Sequence, residues 1–130
     1  AAGTVVMNRV SKPEFLEEVR EKGKIIEERL LALKAKTKII GDVRAKGLMI
    51  GTEFVNPKGQ PDGIGSLPTS GEIAAKVQKI CFENGFVAEK GGRGGSVMRC
   101  LCALNITKDE INTAMDIFEK VVLQVAKEYE

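Results

Sequence analysis

The pattern Thr107-Lys108-Asp109-Glu110 is followed at helical spacing by an apolar stripe of Ile111, Ala114, Met115, Phe118, Val122, Val125 and Tyr129. A hydroxyl three residues ahead of a glutamate is a capping box, which satisfies orphan N–H donors at a helix start. Ile106 and Ile111 flank it as a hydrophobic staple. A helix with one apolar stripe must bury that stripe against another element. The opening recurs twice upstream. Ser11-Lys12-Pro13-Glu14, with Val10 and Phe15 as staple, leads into Phe15, Val19, Ile26, Leu30 and Leu33 and predicts a helix to about Ala35. Thr69-Ser70-Gly71-Glu72 leads into Ile73, Val77, Ile80 and Cys81 and closes at Asn84-Gly85. Gly23 sits mid-helix at a cost of about 1 kcal/mol, which predicts a close approach of another element there.

Between these helices the period changes to two. Leu48, Ile50, Thr52 and Phe54 alternate with Met49, Gly51, Glu53 and Val55, the pattern of a strand with two distinct faces. Phe86 to Glu89 reads as a short strand and Ser96 to Cys102 as another. Asn56 to Pro68 carries three prolines and three glycines and reads as an irregular loop. The expected fold is α+β: a small antiparallel or mixed sheet of about three strands, with helices packed on one face. That arrangement leaves one sheet face open. In the last strand Val97, Arg99 and Leu101 share one face, while Met98, Cys100 and Cys102 share the other. If helices cover Met98, Arg99 stands on an open, partly apolar surface. Such a patch is unusual on a free-standing monomer.

A chain of 130 residues is one domain's worth and can bury roughly two-thirds of its unfolded surface. Its net charge of +2 argues against a nucleic-acid partner, and no apolar run approaches membrane-spanning length. With no His, imidazole acid–base chemistry and His-activated nucleophiles are excluded. Three cysteines without an export signal read as reduced thiols in the cytoplasm, most simply as small core hydrophobes. The run Gly91-Gly92-Arg93-Gly94-Gly95 leads into a strand rather than a helix, so it fits a hairpin connection better than a phosphate loop. Arg99 is the candidate that remains. It can pair with a carboxylate of the chain, Glu53 or Glu89, or offer its guanidinium fork to a substrate carboxylate. No catalytic centre emerges from these residues.

Several stretches together carry a resemblance. They are Ala1-Ala2-Gly3-Thr4, the helical Glu28-Arg29-Leu30, the run from Ile40-Gly41-Asp42-Val43-Arg44 through Gly51, Gly95-Ser96-Val97-Met98-Arg99, and Leu104-Asn105-Ile106-Thr107. In this order they resemble the C-terminal small domain of class III (fold type I) pyridoxal-phosphate-dependent aminotransferases. Glu89 to Val97 further resembles the diaminobutyrate–2-oxoglutarate transaminases. The resemblance implies that Arg99 holds the α-carboxylate of the amino-acid or oxo-acid substrate. It also implies that the Schiff-base lysine and the other cofactor-binding residues belong to a large domain outside this chain. The chain is then expected to be an excised small domain, residues 1–10 being the end of an inter-domain helix. By itself it would bind no pyridoxal 5'-phosphate and would be inactive; the parent would be a cytoplasmic homodimer. The chain departs from the family at Cys102-Ala103, where a proline pair is usual. The rival expectation is a non-enzymatic α+β binding or oligomerisation module, in which Arg99 serves an internal ion pair.

Overall fold

A computed structural model describes residues 1–130. The elements run α1 (Ala2–Val10), α2 (Pro13–Lys34), β1 (Ile40–Lys46), β2 (Met49–Phe54), α3 (Gly71–Glu83), β3 (Glu89–Gly91), β4 (Val97–Leu101) and α4 (Lys108–Tyr129). The strands form one sheet in the order β1-β2-β4-β3, antiparallel throughout. Helices α2 and α3 lie on it, and α4 packs against both. The α+β expectation, with helices on one face, therefore holds. A core of 20 buried residues closes within the chain, built from Ile26, Leu30 and Leu33 of α2, Ile50 and Phe54 of β2, Val77 of α3, Met98 of β4, and Ile111, Met115, Phe118, Val122 and Val125 of α4, among others. Helices and sheet thus share one continuous core.

The capping box of α4 forms in full. Glu110 N–H donates to the Thr107 hydroxyl at 3.2 Å, and Thr107 N–H donates to the Glu110 carboxylate at 2.8 Å. At α3, Ser70 is the cap and accepts from Ile73 N–H at 3.2 Å. The expectation at Ser11 fails. Helix α1 already occupies Ala2–Val10, so the Ser11 hydroxyl donates backward to the Met7 carbonyl at 2.7 Å. Lys12 stands at the cap of α2 without a side-chain bond, and Pro13 starts the helix. Pro13 is well placed there, because its missing N–H would have had no helical partner.

The sheet has four strands where about three were expected. The additional one is β1, an edge strand whose outer positions Asp42, Arg44 and Lys46 are charged and whose inner ones are only Val43 and Ala45. A bulge between Ile40 and Asp42 breaks the alternation from Ile40. Charges and a bulge protect an exposed edge, and they also weaken its apolar signal. The short strand expected at Phe86–Glu89 pairs later, over Glu89–Gly91. Phe86 instead turns inward and meets Phe118 edge-on, with ring centroids 6.0 Å apart.

Gly23 shows why the helix carries a glycine. A Cβ there would stand 2.8 Å from Gly47 Cα and closer still to the Gly47 carbonyl. Gly47, at φ 56°, makes the β1–β2 turn. Helix α2 therefore rests directly on that turn and fixes the height of β2. Next to it, buried Lys22 is held by Glu18 and reaches the Leu104 carbonyl at 3.5 Å, tying α2 to the segment that leaves β4. The loop over residues 56–68 is irregular, as expected, and is closed by the Val55–Thr69 bridge.

Candidate functional site

The open face of the sheet is floored by Met49, Gly51 and Glu53 of β2 and Val97, Arg99 and Leu101 of β4. This follows from the alternation that sends Ile50, Thr52, Phe54 and Met98 to the helices. Strand register places Arg44, Gly51, Arg99 and Glu89 in one row across all four strands. A depression of about 340 Å³ lies over this row, lined by Arg44, Met49, Gly51, Val97, Arg99 and Leu101 among others. Met49 and Leu101 are direct strand partners and remain 62% and 57% exposed, so the floor presents apolar surface to solvent.

The two arginines of the row are not equivalent. Arg44 donates through Nη1 to Asp42 and through Nη2 to Glu53, each at 2.7 Å. The Glu53 bond, followed by the Asp42 bond, raises its pKa above the usual arginine value. Its outer nitrogens are committed to the protein. Arg99 donates through Nη2 alone, to Glu89 at 2.7 Å. Of the two carboxylates expected as partners, Glu89 takes the role and Glu53 belongs to Arg44. Nε of Arg99 is buried without an acceptor, whereas Nη1 makes no bond and is not among the buried unpaired atoms. An unpaired buried donor costs on the order of 1–3 kcal/mol. Arg99 is therefore the guanidinium with donors to spare, and its side chain is 42% exposed on the open face. A guanidinium in that state can take a carboxylate or phosphate ligand.

Two other candidates are accounted for. Cys81 is buried and Cys100 half-buried; burial pushes both thiols up to about 11, leaving them poor nucleophiles at neutral pH. Cys102 is half-buried and packs at the edge of the core. The glycine run forms a β3–β4 hairpin connection, with a single 3-10 turn at Arg93–Gly95 and positive φ at Gly92, Gly94 and Gly95. No helix is long and apolar enough to cross a membrane.

What sequence reasoning missed is the support around Arg99. Glu89 could be named only as one of two partners. The register of β3 against β4 is the missing information, and a strand of three residues leaves little periodicity to read.

Comparison with known proteins gives consistent results. The family model for aminotransferase class-III matches residues 1–122. A diaminobutyrate–2-oxoglutarate aminotransferase of Haemophilus influenzae is 34% identical over 127 residues, covering 98% of this chain and 28% of that protein. The corresponding enzyme of Rhizobium meliloti is 38% identical over 112 residues, covering 86% of this chain and 24% of its own length. Among solved structures, a phospholyase from Arthrobacter in complex with phosphoethanolamine superposes with a TM-score of 0.81 at 18% identity, covering 94% of this chain and 28% of that one. At that identity the likeness shows the fold alone. The chain spans about a quarter of the length of the curated relatives it matches.

Proposed function

The chain belongs to the class-III aminotransferases, and we propose that within a whole protein of that family it supplies Arg99 as the residue that holds the substrate carboxylate. The observation that carries this reading is the state of the guanidinium: on the open face, with one bond to Glu89 and Nη1 unpaired. An arriving carboxylate meets a donor that needs no prior ion pair to break. The neighbouring Gly51 adds no side chain of its own to the row beside Arg99, the space over it being bordered by Val97, and Arg44 is neutralised by Asp42 and Glu53. A single charge-assisted anchor on an apolar floor orients one end of an amino or oxo acid and leaves the other end free.

The family is pyridoxal-phosphate-dependent, and that group, when bound, supplies the chemistry of amino-group transfer. The residues of this chain do not fit a carrier for it. Lys22, the buried lysine, is tied to Glu18 and the Leu104 carbonyl beneath α2. The contribution of this chain is binding and orientation. In the parent, a large domain covers the face bearing Met49 and Leu101, and the likeness to diaminobutyrate–2-oxoglutarate aminotransferases makes a diamino acid and 2-oxoglutarate the proposed substrate pair. A cytoplasmic homodimer completes this reading, and the chain alone is expected to be inactive.

The test is steady-state kinetics of the whole protein with Arg99→Ala and Arg99→Lys. Truncating one partner of a charge pair costs about 2–5 kcal/mol. For a side chain still 42% exposed, the lower end applies, about 2 kcal/mol or roughly thirtyfold in the KM for the oxo acid. Lysine should restore only part, since a point charge cannot reproduce the planar fork. The Glu89 pair is also compatible with a binding module that has no chemistry; an unchanged KM in Arg99→Ala would return Arg99 to that role.

A further inference from the structure

Strand β3 is only three residues long, yet two of them touch the same guanidinium. Glu89 is the register partner of Arg99 and accepts from its Nη2 at 2.7 Å. Gly91 lies two residues on, the same face of the strand again. A Cβ at Gly91 would stand 2.7 Å from Nη2, 2.9 Å from Cζ and 3.0 Å from Nε of Arg99. The guanidinium is therefore laid over the β3 backbone at a distance that any side chain would prevent. This contact also explains the orphaned donor, because Nε is shut away from solvent beside Gly91 where no acceptor is present.

The arrangement has a direction. Nε and Nη2 form the edge of the guanidinium turned to β3, where Glu89 holds Nη2 and Nε is buried beside Gly91, while the unpaired donors of Nη1 are the ones not buried. A long arginine has several staggered rotamers per bond, and ordering it is entropically costly. A guanidinium already fixed by a neighbouring strand loses less freedom when it receives a ligand. We propose that Gly91 and Glu89 are positioning residues for Arg99, the glycine admitting the guanidinium onto β3 and the carboxylate fixing Nη2, so that Nη1 faces the substrate carboxylate. The proposal rests on the reading of Arg99 as the carboxylate ligand and adds how it is held: the hairpin that carries the glycine run sets the angle of the clamp.

Gly91 has no positive φ, so its backbone admits alanine and the substitution probes the contact rather than the fold. In the whole aminotransferase, Gly91→Ala should raise the KM for the oxo acid about tenfold, as a displaced positioning group does, with kcat within about twofold. Added to Arg99→Ala it should have no further effect, since two changes acting through one group do not add. Glu89→Ala should also raise KM, and Glu89→Gln, which keeps an oxygen acceptor for Nη2, should recover most of it. A lower KM in Glu89→Ala would show that Glu89 competes with substrate, and would overturn the proposal. So would an unchanged KM in Gly91→Ala, or an effect that persists without Arg99. A second readout keeps this separate from the role of Arg99 itself. In the 130-residue chain, NMR should show slow exchange of the Arg99 Nε proton with water, accelerated about tenfold by Gly91→Ala or Glu89→Ala as the cradle opens. Accelerated exchange with no KM change in Arg99→Ala would leave the cradle standing and remove the carboxylate role. Unchanged exchange in both variants would remove the cradle.

Discussion

Replacing Gly23 by alanine should destabilise the protein although alanine is the better helix former. On propensity alone the exchange gains about 1 kcal/mol. Against this, the new Cβ would sit 2.8 Å from Gly47 Cα, where ordinary contact begins near 3.4 Å, and nearer still to the Gly47 carbonyl. The obstacle is backbone, so no rotamer change relieves it. Gly47 cannot retreat either, because the turn holds it at φ 56° and the Val19 side chain packs 3.3 Å from its own would-be Cβ. Helix α2 must lift by more than half an ångström, loosening Ile26 and Leu30 in the core. Overpacking of this kind costs typically 1–3 kcal/mol, and rigid neighbours place it at or above the upper end. The net expectation is a loss of about 2 kcal/mol after the propensity gain. Urea unfolding followed by far-ultraviolet circular dichroism measures it. With m at about 2 kcal/mol per molar, the midpoint should fall by about 1 M at constant m. An alanine variant as stable as the parent chain, or about 1 kcal/mol more stable, would refute the claim that α2 rests on the β1–β2 turn.

Further expectations follow from the cap, the thiols and the open face. Thr107→Ala removes the capping box of α4 at a cost of about 1 kcal/mol, read as a Tm lowered by roughly 4 °C. The pKa of Glu110 is lowered by the backbone and side-chain hydrogen bonds of Thr107, and that of Glu130 by the Thr37 hydroxyl and then the Lys38 N–H. Because both folded-state values lie below the unfolded carboxylate value of about 4.3, their stabilisation is present above that pH and is lost as pH falls through the folded values. A Tm–pH profile should decline on the acid side, less steeply in Thr107→Ala. At pH 8, with Cys81 and Cys100 pushed up to about 11, thiol labelling with intact-mass detection should find both slow and Cys102 the first to react; rapid labelling of Cys81 would contradict its burial. Sedimentation over a concentration series should show self-association of the isolated chain through Met49 and Leu101, abolished by Leu101→Glu. A monomer at millimolar concentration would argue against an apolar face that needs cover.

Much of this molecule is written locally. The α4 capping box needs only residues 107–110 and forms as read. The alternation of β2 and β4 assigns their faces, which is enough to put Arg99 on the open side. Elements that depend on distant neighbours were harder to read. Strand β1 is a strand because β2 pairs with it, while its own inner residues are small and its phase is broken by a bulge. Ser11 looks like a cap until α1 is seen to claim its hydroxyl. The choice between Glu53 and Glu89 was open in the sequence because it turns on Arg44, whose competing claim on Glu53 exists only once β1 is beside β2. Gly91 is the extreme case: its role is defined by a side chain from another strand lying across it.

The most direct test is the structure of the whole protein with a bound 2-oxo acid. A carboxylate oxygen of the oxo acid is expected within about 3 Å of Arg99 Nη1, with Nη2 still on Glu89 and the guanidinium still laid over Gly91. A substrate carboxylate held elsewhere, with Arg99 bonded to Glu89 alone, would contradict it.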